Sequence, residues 1–442
     1  MSDAPRITAV PRGDELLSRL DIVEVTIGSQ AAGVLQVAEG DIIGFRRVSR
    51  PLIEFEGGRI GHQRFRVQAL ADDACDGGKV EVVVKDLIES RCGGFEAGPC
   101  LANPWGIVAS GKSPFWISDN HSGFSTLYNG AGTQIPLVVT VPPPTGGSSP
   151  ASPTGIVFNS TTEFAVSEGA NSGAALFIFD TEDGTISGWN PTVDRGNAIL
   201  MVDNSVAGGI DHSTLGAVYK GLAIGNNGSG NFIYAANFSD GVVEMYDGSF
   251  GFVKSFTDPH VEPDAASPGF APFGIRNING LLFVTFAMQD SAKHDDVAGP
   301  GLGFIDVFDM SGNFLGRLAT GGKLNSPWGL ALAPDDFGPL SGRLLVGNFG
   351  DGHINAYRFF IGSAFFKLIR AVFVGQLRNA QGNPITIEGL WALTFGNGFA
   401  AGKTNELFFT AGIQHEDHGL FGKLTFTPAA APSTSRTANV RR

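Results

Sequence analysis

Apolar residues along this chain come in short runs of four to eight, bounded by Gly, Asn, Asp and Pro, with no stretch that keeps a helical period. One such run recurs: NPWGIVAS from Asn103, SPTGIVFN from Ser152, YKGLAIGN from Tyr219, APFGIRNI from Ala271, SPWGLALA from Ser326 and IEGLWALT from Ile387. The shared glycines are read as Gly106, Gly155, Gly221, Gly274, Gly329 and Gly389, spaced by roughly 50 to 65 residues. That is the spacing of four-stranded propeller blades with loop insertions, so each copy is expected to open a blade.

A second phrase follows most openings: FWISDNHSG at Phe115, FAVSEGANSG at Phe164, FIYAANFSDG at Phe232, LLFVTFAMQD at Leu281, LLVGNFGDG at Leu344 and LFFTAGIQHED at Leu407. Each reads as the next strand with its turn, where Asn, Asp and Gly supply the backbone conformations that a tight turn needs. A third strand is expected in STLYNGAG, AALFIFDTEDG, VVEMYDGSFG, FIDVFDMSGN and HINAYRFF, and an outer fourth in segments such as FVKSF and FLGRLAT. The last copy offers only GLWALTFG, ELFFTAGI and GLFGKLTF, so its fourth strand must come from upstream of Asn103. FRVQALADD from Phe65 and VEVVVKDLIES from Val80 are the two alternating segments available; the second is preferred, and either would remove the ring's free edges. The fold expected is all-β: a six-bladed propeller over residues 79–427, an irregular N-terminal extension over 1–78 and a disordered Ala/Pro/Ser-rich tail over 428–442.

Composition narrows function mainly by exclusion. With 62 Gly, 24 Pro, 35 Phe and 17% charged residues, the chain suits many short buried strands. A net charge of −13 opposes a nucleic acid partner, whose phosphates call for Lys and Arg. Cys75, Cys92 and Cys100 are odd in number and lie upstream of the repeats, so they outline neither a disulfide framework nor a paired Cys-x-x-Cys zinc site. No basic patch followed by an apolar run marks a signal peptide at the start. Phe359 to Leu377, the most apolar late stretch, is broken by Lys367, Arg370 and Gly375, which argues against a membrane span. A soluble monomer is expected.

LANPWG, SPFWISDN, STLYNGAG, SPTGIVFN, YKGLAIG, YAANF, NSPWGLALAP, GNFGDGHINAY, GNPITIEGLWALTFGNG and HEDHGLFG together resemble an uncharacterised bacterial family of exported, NHL-repeat-like six-bladed propellers, over about Leu101 to Phe426. The resemblance implies the propeller and a secreted or periplasmic location, and brings no activity or catalytic residue. Residues 1–78 depart from it: GFRRVSRPLIEFEGGRIGHQRF has no clear period, and the segment is an accessory domain, a disordered extension or a misassigned start.

Propellers place ligands where the innermost strands and connecting loops meet the channel. Asn103, Trp105, Phe273, Trp328, Glu388 and Trp391 flank the opening phrases and are the candidate ligand-binding rim; aromatic burial between blades is the plainer account of the Trp and Phe. Calcium takes Glu, Asn and Asp oxygens, and Asn120, Glu168, Asn237, Asn348 and Glu388, with Asp119 and Asp351, are the candidates to hold it, although most stand where turns want Asn and Asp anyway. His415-Glu416-Asp417-His418 and the KHDD at Lys293 are the densest polar clusters and read as solvated loops, since the two His lack the helical spacing of a zinc motif. No Gly-x-Ser-x-Gly, Walker loop or dinucleotide fingerprint appears. The expected function is a noncatalytic binding propeller for a protein, glycan or small molecule, without a cofactor; a calcium-dependent lactonase or esterase with the ion in the channel is the alternative, and a plugged channel would tell against it.

Overall fold

The computed structural model describes residues 101–148, 150–208, 216–261, 269–361, 369–379 and 381–426 in full, together with the backbone of the strands in the first 90 residues and of Thr427. Six four-stranded antiparallel sheets make up the propeller. Their innermost strands are Pro104–Val108, Pro153–Phe158, Tyr219–Asn226, Phe270–Ile278, Pro327–Leu332 and Leu390–Phe395, each packed on the next and the last packed on the first. Central strands such as Phe115–Asp119 and Phe177–Thr181 are buried along their whole length, because both faces of a blade meet a neighbouring blade. Closure uses the expected segment: Glu81–Ser90 pairs antiparallel with His418–Thr427 and becomes the outer strand of the sixth blade. One sheet is thereby built from both ends of the ring, which leaves no open edge between first and last blades.

The repeated glycines have a steric cause. A methyl group on Gly274 would strike the Trp328 carbonyl oxygen of the next inner strand, and one on Gly329 would strike that of Trp391. Successive inner strands approach backbone to backbone at these points, and only glycine leaves the room.

Two readings of the repeat are corrected. FAVSEGANSG is not the second strand of blade 2; Ala165–Glu168 and Asn171–Ala174 form a separate hairpin, and the second strand is Phe177–Thr181. The hairpin has only Phe164 and Val166 to bury, too few for a position covered on both faces, whereas FIFDT is buried throughout. In the sixth copy Gly389 does not hold the shared glycine position. Leu390 and Leu393 pair with their neighbour as Pro104 and Ile107 do, so Ala392 matches Gly106 and Trp391 matches Trp105. Gly389 then falls where Asn103 and Ser326 stand, and all three have positive φ (61°, 43° and 43°).

Residues 1–78 cluster as one unit and 79–442 as another. The first unit contains a four-stranded antiparallel sheet, Arg6–Ala9, Leu20–Ile27, Gln30–Ala38 and Asp41–Arg47, and a hairpin of Glu54–Ile60 with Gln63–Gln68. The three cysteines and the 428–442 tail lie outside the described residues. Ile354–Ile361 and Ile369–Gln376, which overlap the apolar stretch weighed as a span, are paired strands of blade 5. Among the described residues, no helix is long and apolar enough to cross a membrane.

Candidate functional site

Every inner strand carries a register shift at the same place, between Pro104 and Ile107, Pro153 and Ile156, Tyr219 and Leu222, Pro272 and Ile275, Pro327 and Gly329, and Leu390 and Leu393. A bulge frees a residue from the ladder and re-aims its side chain. The first residue inside each shift is Trp105, Thr154, Lys220, Phe273, Trp328 and Trp391 in chain order.

Four of them are aromatic and close the channel. Trp105 and Trp391 stack with centroids 3.5 Å apart, Trp328 stands edge-on to both at 6.3 and 5.8 Å, and Phe273 lies 5.9 Å from Trp391. All four are buried, in one cluster with Phe238 and with the partly buried Phe349. The Trp391 Nε1–H donates to the Asn103 side-chain oxygen at 3.0 Å and the Trp328 Nε1–H to the Lys220 carbonyl at 2.8 Å. Trp105 Nε1–H has no acceptor among the described residues, an omission that costs on the order of 1–3 kcal/mol unless an oxygen reaches it.

Lys220 is the one charged residue of these six. Only 1% exposed, its ammonium sits 5.1 Å from the Trp105 ring centroid and 5.8 Å from that of Phe238, and it is ion-paired with Glu182 and, at 3.2 Å, with Asp295. Burial works to lower its pKa, and the two carboxylates overcome that and raise it. From this pair the network spreads over the plug. Asn120 donates to Glu182 at 2.8 Å, Asn103 donates to Glu416 at 2.6 Å, and Asn120 Oδ1 and His121 Nε2 stand 3.4 and 3.3 Å from the Asn103 amide nitrogen. On the other side His294 meets Asp295 at 2.9 Å. This hydrogen bond raises His294 and, together with the Lys220 charge, holds Asp295 below the ordinary carboxylate range. Burial pushes the Glu416 carboxyl up to about 7, against the lowering effect of the Asn103 amide. Five blades thus contribute to one polar mouth above an aromatic floor.

The candidate rim residues divide accordingly. Trp105, Phe273, Trp328 and Trp391 come together as the buried floor, Asn103 joins floor to mouth, and exposed Glu388 only accepts the His415 backbone N–H at 3.2 Å. Of the proposed calcium ligands, Asn120 alone enters the mouth. Glu168 is exposed on the blade 2 hairpin; Asn237 is spent on Glu244 at 2.5 Å, and Asn348 on the Lys323 carbonyl at 2.7 Å and on Asp351 at 3.0 Å. Asp119, Asn237 and Asn348 pair with Pro104, Tyr219 and Pro327 at the ends of second strands, where they buttress turns. The His415–His418 loop is not uniformly solvated, for Glu416 turns inward while His415 and Asp417 stay exposed.

Glu182, His294 and Asp295 bring one ligand atom each within 4.8 Å of one another and could hold a metal ion. They do not fit calcium, which asks for six to eight oxygens, and the Lys220 ammonium already lies against both carboxylates. Sequence reasoning passed over Lys220 although its register was visible: in YKGLAIG it stands directly before the glycine, where three other copies have Trp or Phe. Glu182, from the TEDG turn, and His294–Asp295, from the KHDD insertion, carried no such signal, because only the folded ring brings these loops together.

No family model matches the chain. Uncharacterized protein R648 of Acanthamoeba polyphaga mimivirus is 32% identical over 332 residues, covering 74% of this chain and 75% of that protein. Uncharacterized protein L690 of the same virus is 31% identical over 332 residues, covering 74% and 80%. These relatives are viral, whereas the sequence resemblance pointed to bacteria. Among solved structures, virginiamycin B lyase from Staphylococcus aureus overlays 78% of this chain and 100% of its own with a TM-score of 0.43 and 14% identity. A gluconolactonase from Xanthomonas campestris overlays 75% and 99% with a TM-score of 0.38 and 13% identity. Likeness at this level carries no function across.

Proposed function

The chain belongs to the family of the mimivirus proteins R648 and L690, and on the geometry of its channel mouth we propose that it is a noncatalytic binding propeller whose recognition surface is the network over the aromatic plug. The observation that carries this reading is convergence: Asn103 and Asn120, Glu182, Lys220, Asp295 and Glu416 arrive from five different blades, and no single blade needs them for its own sheet. Three carboxylates outnumber one ammonium there, so the ligand class favoured is small and rich in hydroxyl or amine donors, a glycan fragment among them. The Trp105 N–H without an acceptor supports a ligand oxygen at the floor. Work outside the cytoplasm belongs to the same reading, and fractionation of cells expressing the full chain checks it.

A second reading, metal-assisted hydrolysis, draws on the Glu182, His294 and Asp295 grouping and on Glu416, whose carboxyl near 7 suits proton transfer at neutral pH. Lys220 weighs against it by supplying the positive charge that an ion would bring. Calorimetric titration with calcium, magnesium and zinc, with melting in parallel and a lactone and ester turnover screen, separates the two. The binding reading expects neither saturable heat nor a raised melting temperature nor turnover. One-site cation binding with a rise in melting temperature and turnover would replace it with the hydrolase reading.

A further inference from the structure

Beyond the plug, the far end of the channel holds a second, chemically different space. A cavity of about 440 Å³ is lined by the later halves of the inner strands, with Val108, Val157, Ile224, Leu330 and Leu393 among its apolar walls and Trp328 reaching it from the plug. Its one charged lining residue is Arg276. In the repeat, Arg276 stands two places after the shared glycine, where the other copies have Val108, Val157, Ala223, Ala331 and Thr394. We propose that this cavity binds a small monoanionic carboxylate with an apolar body, held by the free edge of the Arg276 guanidinium.

Arg276 reaches from blade 4 past blade 5 to blade 6. Nη1 donates to the carbonyls of Leu330 at 2.8 Å and Leu393 at 2.6 Å, and Nη2 to the Thr394 hydroxyl at 3.2 Å. All three acceptors are neutral, and no carboxylate stands within ion-pair distance of it among the described residues. Elsewhere in the propeller, Lys220, Arg317 and Lys423 are each matched with carboxylates. Burial lowers the Arg276 pKa to about 10, and no neighbouring charge contributes to the shift. The group is still a cation at neutral pH, and although it is only partly buried, a charge drawn out of water without a counter-charge is costly to keep.

Three engaged donors of five leave the Nε–H and one Nη2–H, which form the side edge that meets a carboxylate with two parallel hydrogen bonds. A single fork matches a single negative charge. Asn277, the other polar side chain in the lining, is spent: its amide donates to the Ile224 carbonyl at 2.9 Å and accepts from the Gly280 N–H at 3.1 Å. The rest of the ligand therefore faces aliphatic walls, in a volume within the ordinary range for small-molecule sites. A phosphate dianion would bring more acceptors than the fork can meet.

The test is calorimetric titration of the full chain with hexanoate, hexan-1-ol and inorganic phosphate, with melting in parallel, for the natural chain, Arg276→Met and Arg276→Lys. Expected is one-to-one hexanoate binding that raises the melting temperature, with hexanol weaker by about tenfold or more and phosphate weaker than hexanoate. Arg276→Met should lose about tenfold or more in hexanoate affinity. If that variant does not fold, Arg276→Lys, which keeps the charge without the fork, should still weaken binding by about threefold or more. Equal binding of hexanol and hexanoate, tighter binding of phosphate, hexanoate affinity unchanged in the folded variants, or no heat and no melting shift up to about 10 mM hexanoate would each overturn the proposal.

Discussion

The two ends of the channel are made from the same six strands, yet they settle charge in opposite ways. At the mouth, Lys220 is held between Glu182 and Asp295, and the amides of Asn103 and Asn120 pass hydrogen bonds on to Glu416 and Glu182. At the far end, the Arg276 guanidinium has only neutral oxygens. The difference comes from the loops. The mouth receives the turn carrying Glu182 and the loops carrying Asp295 and Glu416, whereas the far end is lined by inner-strand residues and by Ala109 just past the first of them. A ligand at the mouth must compete with bonds already made; one at the far end would supply a bond that is missing.

The comparison depends on the plug that separates the ends, and Trp391→Ala should break it. The indole stacks on Trp105 at 3.5 Å and on Phe349 at 4.0 Å, and its loss also strips the Asn103 side-chain oxygen of a donor. Truncating so large a buried aromatic should cost about 3–5 kcal/mol, read from the urea midpoint at unchanged m-value. A cost under about 1 kcal/mol would mean that the aromatic floor is not a packing element.

Lys220→Met is expected to cost about 3 kcal/mol in the same assay, because it leaves a carboxylate without its counter-charge beside an apolar floor. The loss should fall mainly on Glu182, whose side chain is 12% exposed, since Asp295 at 67% keeps its water. Adding Glu182→Gln should recover part of it, and strict additivity of the two changes would show that they are not coupled.

A pH series sharpens the mouth further. Glu416 has a folded-state pKa of about 7 against an ordinary 4.5, so the folded chain binds more protons between those values and stability falls as pH rises through that window. Asp180 and Asp306, also pushed up to about 7 by burial, and His294, raised by Asp295, act in the same direction. The depressed carboxylates, Asp295 and Asp203 among them, lose their contribution only at more acidic pH. The melting temperature should therefore be higher at pH 5 than at pH 8. Glu416→Gln should flatten the slope by on the order of 1 kcal/mol across that range, discounted for its partial exposure. An unchanged slope would mean that Glu416 is solvated like its loop neighbours.

Much of the ring was legible because each strand is a local object. Six openings, most second and third strands and the closing strand after Val80 follow from short apolar runs and turn residues, since a blade buries both faces of every central strand. Blade 2 escaped because FAVSE and FIFDT look alike in a window of five and differ only in what covers them. The sixth copy slipped because its glycine, Gly389, stands at the positive-φ position three residues before Ala392, which holds the register place that glycine has in the other copies. Of the mouth, Asn103, Trp105, Trp328 and Trp391 were legible from their phrases, and so in principle were Lys220 and Arg276, each out of character for its register. Glu182 and Asp295 were not, because nothing in a loop's sequence states which other loop it will meet.

The smallest expected effect tests that last point. Glu168 was a sequence candidate for a channel cation, but it sits exposed at the tip of the blade 2 hairpin, paired in register with Asn171. The residues that anchor this hairpin are Phe164 and Val166, packed with Phe250 under the surface, and neither depends on the Glu168 carboxylate. Glu168→Ala should then change stability by no more than about 0.5 kcal/mol. It should also leave any cation titration of the full chain where it was. If instead it removed a measurable cation site, the hairpin and not the mouth would hold the metal chemistry of this propeller, and the contrast between the two channel ends would have to be redrawn around a third site.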